Sequence, residues 1–252
     1  MEQTVTEGLS VGMLLCRLML GTADCSAAIS QTMPAAEPCV GPVPRYELVI
    51  GGPEIDEEVA RMVRQRLARP DVCEVSLDIE GGELVLQIGT MDDPMVQVAP
   101  ILRPGAISLH AVDWEFAPGQ ALPDGLVQMS RFDGSQDFVV VEEPLLGDAG
   151  IESASAEENF GEWAVSIRFD PKSAESFGDI TSENLGLELA IAIDDVILAA
   201  PRINEPILGG SAMITGGFGE DEARYLATIL ANGPLPAGLS ILSIEVAPDG
   251  NR

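Results

Sequence analysis

Apolar and polar residues alternate along "RYELVI" (45–50), which predicts a strand. From "PEIDEEVARMVRQRLARP" (53–70) the period changes. Ile55, Val59, Met62, Val63 and Leu67 fall on one helical stripe. Acidic residues fill the first turn of that helix and arginines the last, which suits its dipole. "VCEVSLDI" (72–79) and "ELVLQIG" (83–89) flank Gly81-Gly82 and predict a hairpin. "DDPMVQVAPIL" (92–102) opens with aspartate ahead of Pro94 and is cut short by Pro100, so a short helix is expected. "AISLHAVDWEF" (106–116) alternates again. The order β-α-β-β-α-β predicts an α+β chain whose first subdomain, 45–117, is ferredoxin-like. Four antiparallel strands would carry two helices on one face.

The pattern then weakens. In 118–160, expected to be a connecting segment, "LVQMSRF" and "FVVVEE" predict two strands around "DGSQ". "GDAGIESASAEENFGE" is small and polar and reads as loop. Regular patterning returns over 161–246. "WAVSIRF" (163–169) sets Trp163, Val165, Ile167 and Phe169 on one face. Asp170-Pro171 opens a helix that Gly186 closes. "LELAIAI" and "VILAA" flank Asp194-Asp195, a second hairpin. "GEDEARYLATILANG" predicts a helix with Ala223, Leu226, Ala227 and Leu230 inward, and "SILSIEV" a last strand before the tail 247–252. This is a second α+β unit. Between the hairpin and the helix lies "INEPILGGSAMITGGFGEDEA" (203–223), where glycines crowd a short apolar run.

Composition narrows the function. Of 252 residues, 46% are hydrophobic, enough for packed cores. The net charge is −28, a surface that repels nucleic acid and anionic lipid. The arginines Arg61, Arg64, Arg66 and Arg69 read as a solvated helix face, with a docking stripe as the alternative. Residues 1–44 look different again. "LSVGMLLCRLML" (9–20) is apolar but shorter than a bilayer span, and Ser26-Ala27-Ala28 fits an export cleavage site. "QTMPAAEPCVGPVP" (31–44) reads as a Pro-rich linker. A periplasmic or secreted protein with an atypical leader is expected. Cys39 and Cys73 would then remain, as a disulfide or as two free thiols.

Chemistry-bearing patterns are sparse. The one histidine, His110, lies in an alternating strand and reads as structural. Asp194-Asp195 reads as a turn rather than a carboxylate pair or calcium ligand. The glycine-rich run has no lysine and does not open a βαβ helix, so it is not a phosphate loop. No catalytic residue, metal site or cofactor is assigned, and no enzyme activity is expected.

Residues 165–237 carry a long ordered series: T-x-E-N-x-G, the L-A-I-x-x-D hairpin, A-P-x-I-x-E-P-I-x-G-G-S, the I-T-G-x-F turn, the E-A helix and G-x-L-P-A. This series resembles the head of the first periplasmic domain of SecD. Asp195 stands where that family usually has glycine, and Gly217 where it often has asparagine. More loosely, "EIDEEVARMVRQRL" through "DDPMVQVAPILRPGAISLHAVD" is similar to the base of the same domain. SecD proteins continue into a transmembrane bundle. None is expected here, so the family's proton-relay carboxylates are not carried over. The resemblance implies a protein that binds unfolded or emerging preprotein, or docks on Sec translocon components, without a cofactor. The alternative is an envelope binding or adaptor protein that keeps the fold without an export role. On the first reading Ile207, Leu208, Gly209, Gly210, Met213, Ile214, Gly216 and Gly217 would meet the client, as an added strand or through apolar side chains.

Overall fold

A computed structural model describes residues 43–53, 55–68, 72–90 and 93–247. The leader, Cys39 and the tail lie outside them. Cys73 is described in its backbone alone, so the proposed pairing falls outside the described residues. In chain order the elements are β1 (Arg45–Gly51), α1 (Glu57–Arg66), β2 (Cys73–Glu80), β3 (Glu83–Gly89), α2 (Pro94–Val98) with a 3-10 turn (Ala99–Leu102), and β4 (Ile107–Asp113). There follow β5 (Leu126–Ser130), β6 (Asp137–Val141), β7 (Ile151–Asn159), β8 (Glu162–Phe169), α3 (Pro171–Glu183) and β9 (Leu189–Ile193). Last come β10 (Val196–Ala199), β11 (Ser211–Phe218), α4 (Glu220–Asn232) and β12 (Ser240–Val246). No helix of the described residues is long and apolar enough to cross a membrane.

Two compact units share these elements. Among the described residues, one runs from Ala106 to Gly233, and the other joins the residues from 43 through Gly105 to those from Pro234 through 247. The second of these holds an antiparallel sheet in the order β12-β1-β3-β2. Its core combines Leu48, Ile50, Leu84 and Leu86 of the sheet with Val59, Val63 and Leu67 near α1, and Ile101 of the 3-10 turn. Gly81 and Gly82 both take the left-handed conformation that a two-residue hairpin requires. Asp56 caps α1 by accepting from the Glu58 and Val59 amides.

The fourth strand of that sheet is not 106–116. It is β12, from near the far end of the chain, which pairs with β1 from Tyr46↔Val246 to Gly51↔Ser240. Both candidate segments alternate, so period alone cannot choose between them. Burial of their neighbours does. Every residue of β9 is buried, so its backbone must be paired on both sides, and β4 supplies the second side opposite β10. β12 is largely exposed, as suits an outer strand. The ferredoxin-like strand order therefore arises from a chain interrupted by the other unit.

Arg66 also departs from the solvated-face reading. It is 1% exposed and donates to the Ile101, Arg103 and Pro104 carbonyls. Arg64 donates to the Leu77 carbonyl, and Arg61 stays on the surface beside Glu58.

The other unit contains two sheets. The larger has the order β10-β9-β4-β6-β5. A parallel bridge between Arg131 and Ile197, with the Phe132 amide donating to the Ile197 carbonyl at 2.9 Å, brings its two ends together. Met129, Phe138, Val140, Ala190, Ala192 and Ile197 form its core. The smaller sheet has the order β11-β8-β7. Val165, Ile167 and Ile214 of this sheet are buried, as are Phe177 of α3 and Leu226 and Leu230 of α4. Asp170 caps α3 through the Ser173 amide, a bond that holds its carboxyl below the usual range.

The segment expected as loop is instead the nine-residue strand β7. Its only apolar residues are Ile151, Ala154 and Ala156, and glutamates interrupt the alternation. What makes it a strand is pairing with β8, from Ile151↔Phe169 to Asn159↔Glu162.

Candidate functional site

The glycine-rich run has a definite shape. Ile203 is buried, and the Ile207 amide donates to Thr181 Oγ1 at 2.9 Å, fastening the segment to α3. Gly210 is left-handed, and a Cβ there would lie 2.7 Å from the Ala174 Cβ. Only glycine allows that approach. The chain then enters β11, which pairs with β8 from Ser211↔Arg168 to Thr215↔Ala164. The register shifts between Thr215 and Phe218, and this bulge contains Gly216 and Gly217. Gly217 is left-handed, and a Cβ on Gly216 would meet the Phe218 ring and the Leu198 carbonyl.

Of the eight residues singled out in the sequence, few present side chains to solvent. Ile214 is fully buried and Ile207 half-buried. Gly210, Gly216 and Gly217 serve backbone geometry, while Gly209 lies in open space. Leu208 and Met213 are the exposed apolar side chains. The Gly216 carbonyl accepts from Arg131 at 2.7 Å, so the β11 edge is already engaged there.

Met213 and Thr215 help line a cleft of about 430 Å³. Its other walls include Trp114, Arg131, Phe138 and Glu188. Met213 is 46% exposed and its sulfur accepts from Asn159 Nδ2. Trp114 is 63% exposed and stands edge-on to Phe138, with ring centroids 6.5 Å apart. The tryptophan is the residue that sequence reading missed. It was placed inside an alternating strand, but β4 ends at Asp113, whose carboxylate accepts from the Glu115 and Phe116 amides. That side-chain turn frees Trp114 from the sheet. An aspartate just before an aromatic at a strand's end was the available signal. The cleft thus offers a flat ring, a flexible thioether and two opposite charges. These suit van der Waals contact with varied side chains rather than bond-making.

Other candidates have structural occupations. His110 is buried, with Nδ1 2.8 Å from the Val141 carbonyl and Nε2 3.0 Å from Ser108 Oγ. Asp194 and Asp195 are both left-handed turn residues, and Asp194 accepts from the Ala106 amide at 3.1 Å. Glu222 is 2% exposed at the start of α4 and accepts from the Gly219 amide at 2.9 Å. Burial pushes its carboxyl up, and the nearby Asp133 and Asp221 push it further. No group of histidine, cysteine, aspartate and glutamate among the described residues could hold a metal.

Residues 124–237 match the family model of the SecDF P1 head subdomain. The protein translocase subunit SecD of Rickettsia bellii is 31% identical over 194 residues, covering 75% of this chain and 37% of that protein. SecD of Calditerrivibrio nitroreducens is 30% identical over 203 residues, covering 74% of this chain and 39% of its own length. A crystal structure of SecDF in a super-membrane-facing form superposes with a TM-score of 0.58 at 24% identity, over 79% of this chain and 30% of that one. The chain carries a SecD P1 domain. A second solved structure, from work on SecDF as a membrane component that enhances protein export, agrees in fold. Its TM-score is 0.55 at 22% identity, over 80% of this chain and all of that one. The chain spans about two fifths of the length of these curated relatives. The head match falls almost wholly within the Ala106–Gly233 unit, which also contains the cleft. The α+β architecture predicted for the P1 domain is the one observed.

Proposed function

We propose that this protein serves protein translocation on the outer side of a membrane, by holding extended, unfolded polypeptide or docking on Sec translocon components. The cleft carries the reading: Trp114 and Met213 stand exposed beside β11, in a unit whose fold is that of a translocase head. Exposed aromatic and thioether groups accept many side chains without demanding one shape. Chemistry on the client is not part of this role, and no cofactor is invoked.

The test uses purified protein and reduced, permanently unfolded polypeptides. Binding is read by the anisotropy of the labelled polypeptide. Trp114→Ala weakens it by roughly tenfold, the scale of about 1.4 kcal/mol expected of an aromatic contact. Absence of binding at high micromolar concentration would defeat the holding role. Retained affinity in Trp114→Ala would move it away from the cleft.

A further inference from the structure

β7 is the outer strand of the sheet β11-β8-β7. Among the described residues no strand pairs with its free side along all nine positions. Edges of this length template the addition of another strand, and proteins usually blunt them with charged side chains, proline, a bulge or a covering helix or loop; β7 has a bulge between Ile151 and Ser153, and α4 packs against it. Here there is no lysine and no proline. Glu152, Glu157 and Glu158 also stand exposed along the strand, with Ser153 and Ser155 between the first and the second of them. At its end the hairpin turns through Phe160 and Gly161, both left-handed. Phe160 is 103% exposed. A two-residue turn of this kind favours asparagine ahead of glycine, so a bare phenylalanine there costs both backbone strain and hydration. Local folding gains nothing from that side chain.

The charges choose the occupant. A second copy of this chain, laid antiparallel in the fully paired register, would set Glu152 against Glu158 and Ser153 against Glu157. Like charges facing each other across a ladder are destabilising. A strand carrying lysine or arginine at alternating positions would instead set opposite charge against Glu158 on one face of the ladder or, shifted by one residue, against Glu157 on the other. We propose that the free edge of β7, with Phe160 as an apolar anchor at its end, takes up a basic extended polypeptide segment as a fourth strand. The proposal rests on the polypeptide-binding role above and gives it a polarity: main-chain hydrogen bonds supply tolerance of sequence, and the glutamates select positive charge.

Fluorescently labelled nine-residue peptides test it on the full chain. One alternates threonine with lysine and the other threonine with glutamate. Anisotropy is expected to show the lysine peptide binding at least tenfold more tightly, with the advantage shrinking as salt is raised. Charge reversal at Glu152, Glu157 and Glu158 together is expected to reverse the preference. Phe160→Asn separates anchoring from folding, because it should raise the melting temperature while weakening the lysine peptide severalfold. Hydrogen exchange places the contact, with amides of 151–159 becoming protected on binding. Equal binding of the two peptides overturns the proposal, as does protection of 151–159 by self-association without peptide. Protection confined to 211–218 and the cleft also overturns it while leaving the cleft reading intact. Protection of 151–159 alone supports the edge and counts against the cleft.

Discussion

Replacing Arg66 by methionine tests how the β12-β1-β3-β2 unit is held together. The guanidinium lies under the helix that carries it and donates to three carbonyls at the end of the 3-10 turn: Ile101 at 3.1 Å, Arg103, and Pro104 at 2.8 Å. Methionine keeps much of the apolar stem and removes every donor. Hydrogen bonds to a charged group contribute about 1.5–3 kcal/mol each, but the variant no longer has to desolvate a cation. The Pro104 carbonyl also keeps the Leu235 amide at 2.8 Å, so its loss is small. The Ile101 and Arg103 carbonyls carry most of the penalty, at about 1–2 kcal/mol apiece. The expected destabilisation is therefore about 2–4 kcal/mol, a large share of the roughly 5–15 kcal/mol that holds a domain folded. Arg66→Lys, with one compact head in place of a fork, should recover about half. Urea titration gives the global effect, and exchange of amides 57–66 reports it in the affected unit. A methionine variant within about 0.5 kcal/mol of the parent would show that the carbonyls are satisfied without the guanidinium, refuting the reasoning.

Three further outcomes follow from the other unit. Burial raises the Glu222 carboxyl above its ordinary value of 4.5, so the native protein retains a proton that the unfolded chain releases. The contribution of Glu222 to stability is then fully present below that ordinary value and is lost as pH climbs through the raised one, a component that Glu222→Gln should remove from denaturation midpoints measured against pH. Gly216→Ala places a methyl 2.7 Å from Phe218 Cζ and 3.0 Å from the Leu198 carbonyl. It should cost about 1–3 kcal/mol by thermal or urea unfolding, and a neutral result would mean that the bulge is soft. Asp195 holds a φ of 69° in a hairpin turn, so Asp195→Gly should stabilise by up to about 1 kcal/mol and raise the melting temperature.

Local structure was legible wherever one short-range rule dominated. Asp93 and Asp170 cap helices because each carboxylate reaches amides two or three residues ahead, which adjacency in the sequence guarantees. The Gly81-Gly82 and Asp194-Asp195 hairpins, the inward stripe of α4 and the ordered motif series of the head are equally local. What failed was everything that depends on a distant partner. β7 has too little apolar alternation to announce itself, and only pairing with β8 makes it a strand. Arg66 looks like surface in a run of arginines, and only the carbonyls brought beside it explain its burial. Trp114 looks like core until the strand is seen to stop at Asp113.

By itself the sequence determined where most helices, turns and strands begin, that the chain is α+β, and which family its head resembles. Each depends on contacts within a few residues or on an ordered motif. Tertiary structure alone decided that β12 rather than β4 completes the first sheet, that most of the conspicuous glycines serve close backbone approaches, and that Trp114 and Met213 share a cleft. The physical reason is that a period of two tells a strand which faces to present but not which neighbour to choose. That choice is made by which edge would otherwise be buried without hydrogen bonds.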